Sequence, residues 1–321
     1  MFLIIGYYNE TTIKHFVDYV TSNQNESSFD FLNLTDIQNS NEIEISFEED
    51  LHIKIGNKHY DFSRYNYIYS RCFVKSNDSK INNTKLVNLI HMLTNYLDFC
   101  EKVVVNKPSA GHSNYSKLSH IQKLQDFGFK TPNTFIFGSD QSAKNILELN
   151  EGWISKGISS IRTKAVQFDF SLYSNLDLLN RTPSLFQQRI TGFDVRIHLV
   201  GCELLALKIQ SKNIDYRYDT TDNDYEEISI PPDIERQCIN FCQKEELQFA
   251  GIDFKVNQNY DWFILEVNPM PGYNFFDRKM GNKISLTLFN FLNTTLSQSD
   301  TKKYKYELDR PFISPDRRTL S

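Results

Sequence analysis

Hydrophobic and polar positions change period several times along the chain, and each change marks an element. Phe2-Leu3-Ile4-Ile5 is a continuous apolar run, Gly6 opens a turn, and Ile13, Phe16, Val17 and Val20 follow helical spacing, so the chain begins strand then helix. Between residues 42 and 74 period two takes over, predicting a small meander, with a Gly56-Asn57 turn, that leads into a strand ending at Arg71. Leu86, Leu89, Ile90, Leu93, Leu97 and Cys100 share one helical face over 84–102, and Val103-Val104-Val105 is a short strand. The stretch 114–132 predicts a helix with Leu118, Ile121 and Leu124 inward and Gly128 closing it, before a strand at Thr134 to Phe137. Trp153 to Lys156, Leu185 to Ile190, Ile197 to Val200 and Glu203 to Ile209 read as strands, and Ile234 to Leu247 and Ile284 to Leu296 as helices. Asp219 to Glu227 reads as an acidic loop, either plainly solvated or facing substrate, and the tail from Ser297 is charged and carries Pro311 and Pro315.

The run from Phe249 to Tyr273 is the most informative. Ile252 to Val256 alternates, Asn257 to Asp261 is turn chemistry, and Trp262 to Asn268 alternates again, which is a β-hairpin. Glu266 and Asn268, two apart, point the same way, and Asp253 on the partner arm can reach them. Two carboxylates and an amide oxygen form a hard anionic cluster suited to Mg²⁺. A solvated hairpin face would account for the charges alone, but not for Pro269-Met270-Pro271-Gly272, which stiffens the exit beside them.

Composition narrows the setting. The 321 residues suffice for two or three lobes of a globular protein, and a net charge of −5 without a dense basic block sets nucleic acid aside. Five cysteines, with one C-x-x-x-C pair at Cys238 and Cys242 on a helical pattern, read as reduced core thiols and not as a zinc knuckle. No apolar run approaches the ~20 residues of a membrane span and no signal h-region opens the chain, so a cytoplasmic protein is expected.

Glu266-Val267-Asn268-Pro269-Met270-Pro271-Gly272 resembles the E-x-N-x-x-P-G strand of the ATP-grasp ligases. The resemblance covers 112–296 well and 1–105 loosely. It implies an α/β chain with the ATP-grasp fold: an N-terminal pre-grasp lobe at 1–111, a small α+β lid at 112–185, a C-terminal lobe with an antiparallel sheet at 186–298, and a polar tail at 299–321. It implies ATP and two Mg²⁺ ions, the metals on Asp253, Glu266 and Asn268. Lys117 and Lys156 match the two nucleotide lysines, with Lys107 the competitor for the first; Gln187, Gln188, Arg189 and Ile190 match the segment that grips adenine. Ser160 and Arg162 stand where related phosphate loops carry glycine, and Asp194 and Arg196, as D-x-R, with Arg217, match positions at the transferring phosphoryl.

The glycine-poor stretch after Lys156, the wording IQSKNIDYR and the N-terminal strand ending in Arg71 are closest to the ATP-grasp macrocyclases of ribosomal peptides, of the graspetide and microviridin type. The glutamate ligases of ribosomal protein and glutathione synthetase are more distant. Arg71 is expected at an exposed strand end, meeting either ligand or solvent. The implied activity is phosphorylation of an Asp or Glu side chain in a precursor peptide with a leader segment, then capture by a Ser/Thr hydroxyl or Lys amine. A ligase adding an amino acid to a small molecule or protein tail is the alternative, and a nucleotide-binding scaffold without chemistry the third reading. A homodimer is a family expectation.

Overall fold

The computed structural model describes residues 1–23, 28–73, 84–110, 112–137, 152–158, 165–168, 184–217 and 222–294. Strand β1 (Phe2–Gly6) is buried at all five positions, because it lies inside a parallel sheet covered on both faces. The sheet runs β2-β1-β6-β7, with β2 (Phe29–Asn33), β6 (Tyr67–Ser70) and β7 (Val103–Val105) each parallel to its neighbour. Leu3 and Ile5 turn to a core shared with helices α2 (Leu34–Asn39) and α3 (Thr84–Phe99). The predicted meander, β3 (Ile43–Phe47), β4 (Leu51–Ile55) and β5 (Lys58–Asp61), is a separate antiparallel sheet on that side.

Phe2 and Ile4 turn the other way, to α1 (Thr11–Asn23) and a core that belongs equally to the second half of the chain. There a five-stranded antiparallel sheet has the order β14-β13-β12-β15-β16. Its strands are β12 (Gly192–Val200), β13 (Glu203–Gln210), β14 (Asp224–Glu227), β15 (Phe249–Asn257) and β16 (Trp262–Asn268). Residues 224–227, expected within a loop, thus add an edge strand. Helix α5 (Pro232–Lys244) covers one face with Cys238, Phe241 and Cys242, and α6 (Asn274–Lys279) and α7 (Lys283–Leu292) pack between the two halves. All five cysteines are free; Cys72, Cys238 and Cys242 are buried, whereas Cys202 is exposed in the turn between β12 and β13. Among the described residues no helix is long and apolar enough to cross a membrane.

A third sheet, β10-β9-β11-β8, joins β8 (Thr134–Phe137), β9 (Trp153–Lys156), β10 (Val166–Phe168) and β11 (Ser184–Gln188) in antiparallel pairs. Its β11 passes into β12 at Gly192, whose φ is 153° and where a Cβ would lie 1.8 Å from the Val256 carbonyl oxygen, so only glycine fits. Helix α4 (Lys117–Asp126), capped by the Ser116 hydroxyl, leads into this sheet but packs through Leu124 on the five-stranded one. Leu118, expected inward, is 51% exposed; His120 and Leu124 are the buried residues of this helix.

Candidate functional site

Neighbouring strands of the large sheet set the geometry. Asp194, Arg196 and His198 alternate along one face of β12, opposite Lys255, Asp253 and Gly251 of β15, and Asp253 in turn lies opposite Glu266 of β16. Asp194 and Arg196 share a face as the sequence predicts, yet they do not pair with each other. The Lys255 ammonium donates to Asp194 Oδ2 at 2.9 Å, and Arg196 Nη1 donates to Asp253 Oδ2 at 2.6 Å. Directly opposed residues are ~4.5–5.5 Å apart at Cβ, closer than positions two apart on one strand, so the cross-strand partner wins. Burial pushes the Asp194 carboxyl up to about 6, against the pull of Lys255. Burial would lower the Arg196 guanidinium, but Asp253, Tyr216 and Glu266 together outweigh it and the group is held above its ordinary value.

Arg196 is 6% exposed and its place is made by absence of a side chain: a Cβ on Gly251 would stand 2.0 Å from Nη2. The Phe276 ring lies 5.4 Å from its Cζ, and Arg196 Nε donates to His198 Nε2 at 3.4 Å. Burial and the Arg196 charge hold His198 well below its usual range, so it accepts as a neutral ring. The Tyr216 hydroxyl donates to the other Asp253 oxygen, Oδ1, at 3.3 Å. Lys255, Tyr216 and His198 were not picked out from sequence, although Lys255 stands two residues from Asp253 on the same strand face.

Strict alternation on β16 would turn Leu265 away from Glu266. The register instead shifts between Asp253 and Phe254, Ile264 and Val267 enter the core, and Leu265 and Glu266 both line the cleft. This is a bulge on an edge strand beside the site. Among the described residues Glu266 has no hydrogen bond or ion pair, its charge facing Lys117 and Lys156 beyond ion-pair distance. Asn268 Oδ1 accepts from the Met270 N–H at 2.9 Å, fixing the turn into the proline segment. The outer edge of β16 is tied down twice: the Ile264 N–H donates to the Lys130 carbonyl at 2.9 Å, and the Val267 N–H to His120 Nε2 at 3.0 Å. Burial, helped by Lys123, lowers His120 to about 4 and keeps that nitrogen an acceptor.

The opposite wall comes from β9, β11 and the loop after β13. The Lys156 ammonium donates to Gln187 Oε1 at 2.8 Å, and burial, then the Lys117 charge, pulls it down to about 8 against Glu266. Lys117, on the first turn of α4, is also lowered by burial, with Glu266 opposing. Arg217 is held by Asp215 in a two-point pair at 2.7 and 2.6 Å and remains 42% exposed at its side chain. A cavity of about 610 Å³ is walled by Lys117, Lys156, Arg196, Arg217, Asp253 and Glu266. Asn268 lines it too, and a smaller one of about 190 Å³ continues from it past Gln187, Gln188, Arg189 and Ile190, between Ile154 and Leu265. Asp194 lines this smaller cavity, so all expected site residues within the described chain meet in one cleft. Ser160 and Arg162 lie outside the described residues.

Two other sequence candidates go elsewhere. Arg71 is neither solvated nor in the cleft: only 7% exposed, it donates from Nη1 to the Pro271 carbonyl at 3.0 Å and pairs with Glu10 at 3.2 Å. Lys107 lines a separate cavity past the end of β7, whereas Lys117 stands in the cleft.

Comparison with known families matches residues 116–292 to the RimK-like ATP-grasp domain. No curated protein matches the chain. Among solved structures the chain is similar to a RiPP-associated ATP-grasp ligase of Chryseobacterium gregarium in complex with ADP and a leader and core peptide, at 19% identity and a TM-score of 0.76, over 91% of this chain and 96% of that one. It is similar to the macrocyclase MdnC of Microcystis aeruginosa MRC, bound with the precursor peptide MdnA, at 16% identity and a TM-score of 0.73, over 91% and 99%. The D-alanine–D-alanine ligase of Bacillus anthracis, complexed with ATP, matches at 13% identity and a TM-score of 0.57, over 95% and 98%. What the chain shares with all three is the ATP-grasp fold.

Proposed function

The chain belongs to the RimK-like ATP-grasp family of ATP-dependent ligases, and on that premise we propose that it activates Asp or Glu side chains of a ribosomally made precursor peptide and links them to Ser/Thr hydroxyls or Lys amines of the same peptide, closing rings. One observation supports the phosphoryl-transfer half above others: an unpaired carboxylate, Glu266, faces Asp253 in register within a cleft walled by four cations. The donor set fits Mg²⁺, since two carboxylates and an amide are hard oxygen ligands. Among the described residues no group of three His, Cys, Asp or Glu is placed to hold a metal, so Asn268 has to complete the set. Magnesium held there would screen the repulsion between a carboxylate and the nucleotide phosphates.

Position supports the remaining roles we assign. Ile154 and Leu265 offer apolar faces to a base, with the backbone of Gln188 to Ile190 at its edge. Lys117 and Lys156 meet phosphate oxygens, while Arg196 and Arg217 face the phosphoryl group in transfer. Asp194 acts through Lys255, whose ammonium it holds at the cleft wall that also carries Asp253. A substrate carboxylate oxygen takes the γ-phosphoryl group as ADP leaves. The hydroxyl or amine then displaces inorganic phosphate and gives up its proton. The peptide half of the reading is supported by the leader and core peptide bound to one of the similar structures, by the precursor peptide bound to another, and by the glycine-poor sequence after Lys156.

Incubating the protein with ATP, Mg²⁺ and the small peptides encoded beside its gene tests this. The expected product has lost one water per bond, and Asp253→Asn and Glu266→Gln should each lower turnover roughly 10²–10³-fold; Glu266→Gln, whose carboxylate pairs with no cation, should do so with unchanged thermal unfolding, whereas Asp253→Asn also removes the charge partner of the buried Arg196 and lowers stability. Full turnover in both variants would remove the assignment. Unchanged peptide mass, with ADP formed only on adding a free amino acid, would favour the amino-acid ligase instead.

A further inference from the structure

The sheet order β2-β1-β6-β7 reverses between β1 and β6, and ligands of such sheets settle beyond the carboxyl ends of the strands at that point. Here the protein fills the crevice itself, with Arg71 bound to the Pro271 carbonyl. What stays open is the next position along: a cavity of about 360 Å³ past the ends of β6 and β7. Cys72, Phe73 and Pro108 give it apolar walls, Ser70 a hydroxyl and Lys107 its one cation. It shares Asn114, Asn268 and Met270 with the large cleft, so a chain lying in the cleft can run past Asn268 into it.

Lys107 is partly buried, and among the described residues its ammonium has neither an ion pair nor a hydrogen bond. Its backbone is nevertheless pinned. The Asn106 amide donates to the Phe249 and Pro269 carbonyls at 2.6 and 2.5 Å and accepts from the Gln248 and Phe249 N–H groups at 2.8 and 2.9 Å. The Ala110 N–H closes a turn onto the Lys107 carbonyl at 3.0 Å, and the Ser109 N–H donates to Asp98 at 2.8 Å. A cation with no partner, on a backbone fixed from both sides, inside a partly apolar cavity, is placed to receive an anion. The volume is at the low end of small-ligand pockets, about 300–1,000 Å³, which suits a side chain and its neighbour and not a nucleotide.

We propose that this cavity is a second carboxylate subsite, in which Lys107 binds an acidic side chain of the peptide lying a few residues from the carboxylate under activation. It rests on the peptide reading above and makes it narrower: the preferred substrate carries at least two acidic residues close in sequence, with apolar character between them to meet Phe73 and Pro108. Lys107 here sets specificity and takes no part in the bond changes.

The test uses the full chain saturated with Mg²⁺ and AMP-PNP, titrated calorimetrically with Ac-Glu-Phe-Glu-NH₂ and with its uncharged counterpart Ac-Gln-Phe-Gln-NH₂. Wild type should bind the Glu peptide more tightly than the Gln peptide. Lys107→Met should weaken the Glu peptide about tenfold, the scale of one hydrogen bond to a charged group, leaving the Gln peptide, AMP-PNP affinity and thermal unfolding unchanged; Lys107→Arg should retain most of the preference. Equal binding of the two peptides by wild type, or equal binding of the Glu peptide by wild type and Lys107→Met, overturns the subsite. If either occurs while Asp253→Asn and Glu266→Gln still lower ATP-dependent turnover, the subsite alone is wrong; if both variants retain full turnover, the ligase assignment falls irrespective of Lys107.

Discussion

At Lys156 the ammonium is buried on β9 against Gln187, and burial with the Lys117 charge lowers it to about 8, from an ordinary value of 10.5. Between those two values the unfolded chain holds a proton that the folded chain lacks. Stability therefore rises with pH across that window, and the destabilisation from this lysine is present in full below pH 8. Phosphate oxygens against the ammonium would reverse the shift, so nucleotide binding should draw protons in. At pH 8 the expected uptake is about half a proton per Mg²⁺-nucleotide bound, falling to none near pH 6, where the lysine is already charged. Calorimetric titrations in buffers of differing ionisation enthalpy measure it, and Lys156→Met should abolish it. No uptake at pH 8 in the wild type would mean that the polyphosphate lies elsewhere.

At the scale of elements, β16 is an edge strand that must hold Glu266 and Asn268 still, and its outer N–H groups are satisfied by α4 and the segment after it. His120→Ala would strand the buried Val267 N–H, at about 1–3 kcal/mol, and loosen the strand between the two donors. Lower thermal stability should accompany a several-fold weaker Mg²⁺-nucleotide affinity, and His120→Gln, whose amide oxygen can accept the same bond, should recover part of both. Unchanged affinity in His120→Ala would show that the tether does not position the donors. The same elements mark how far the sequence could be read. The hairpin, meander and long helices carry clear periods, and the structure has them. The bulge at Leu265 has no such signature, since a two-residue period assumes the ladder it interrupts. On α4 the apolar spacing of Leu118, Ile121 and Leu124 placed Leu124 correctly in the core but not Leu118, because the other buried position is a histidine 6.2 Å from the Phe241 ring, and hydropathy counts histidine as surface. Helix α6 and strands β2 and β14 are too short for a period to show.

For the whole molecule, the question is whether the N-terminal sheet and the five-stranded sheet are two bodies or one. One core answers for both: Phe2, Ile4 and Phe16 of the first half pack with Val200, Leu207, Phe249 and Leu288 of the second. Across it Arg71 bridges Glu10 and the Pro271 carbonyl, 200 residues away in sequence, and no local pattern around Arg71 could have announced that partner. Burial would raise the Glu10 carboxyl, but Arg71 and the Ile13 and Thr12 amides bring it below its ordinary value. Arg71→Ala leaves this carboxylate with its burial and without its cation, and breaking such a pair costs about 3–5 kcal/mol. The deficit should shrink as the pH falls and Glu10 takes up a proton, since a neutral carboxyl no longer needs the guanidinium. Denaturant unfolding followed by far-UV circular dichroism and by the fluorescence of Trp153 and Trp262 separates the alternatives, because both tryptophans lie outside the N-terminal sheet and the helices packed on it. With a shared core, the midpoint in Arg71→Ala falls while the two signals stay coincident. Two separated transitions would mean that Arg71, and not the core, joins the halves, and that the donors on β16 are presented to the cleft only while that one side chain holds the Pro271 carbonyl in place.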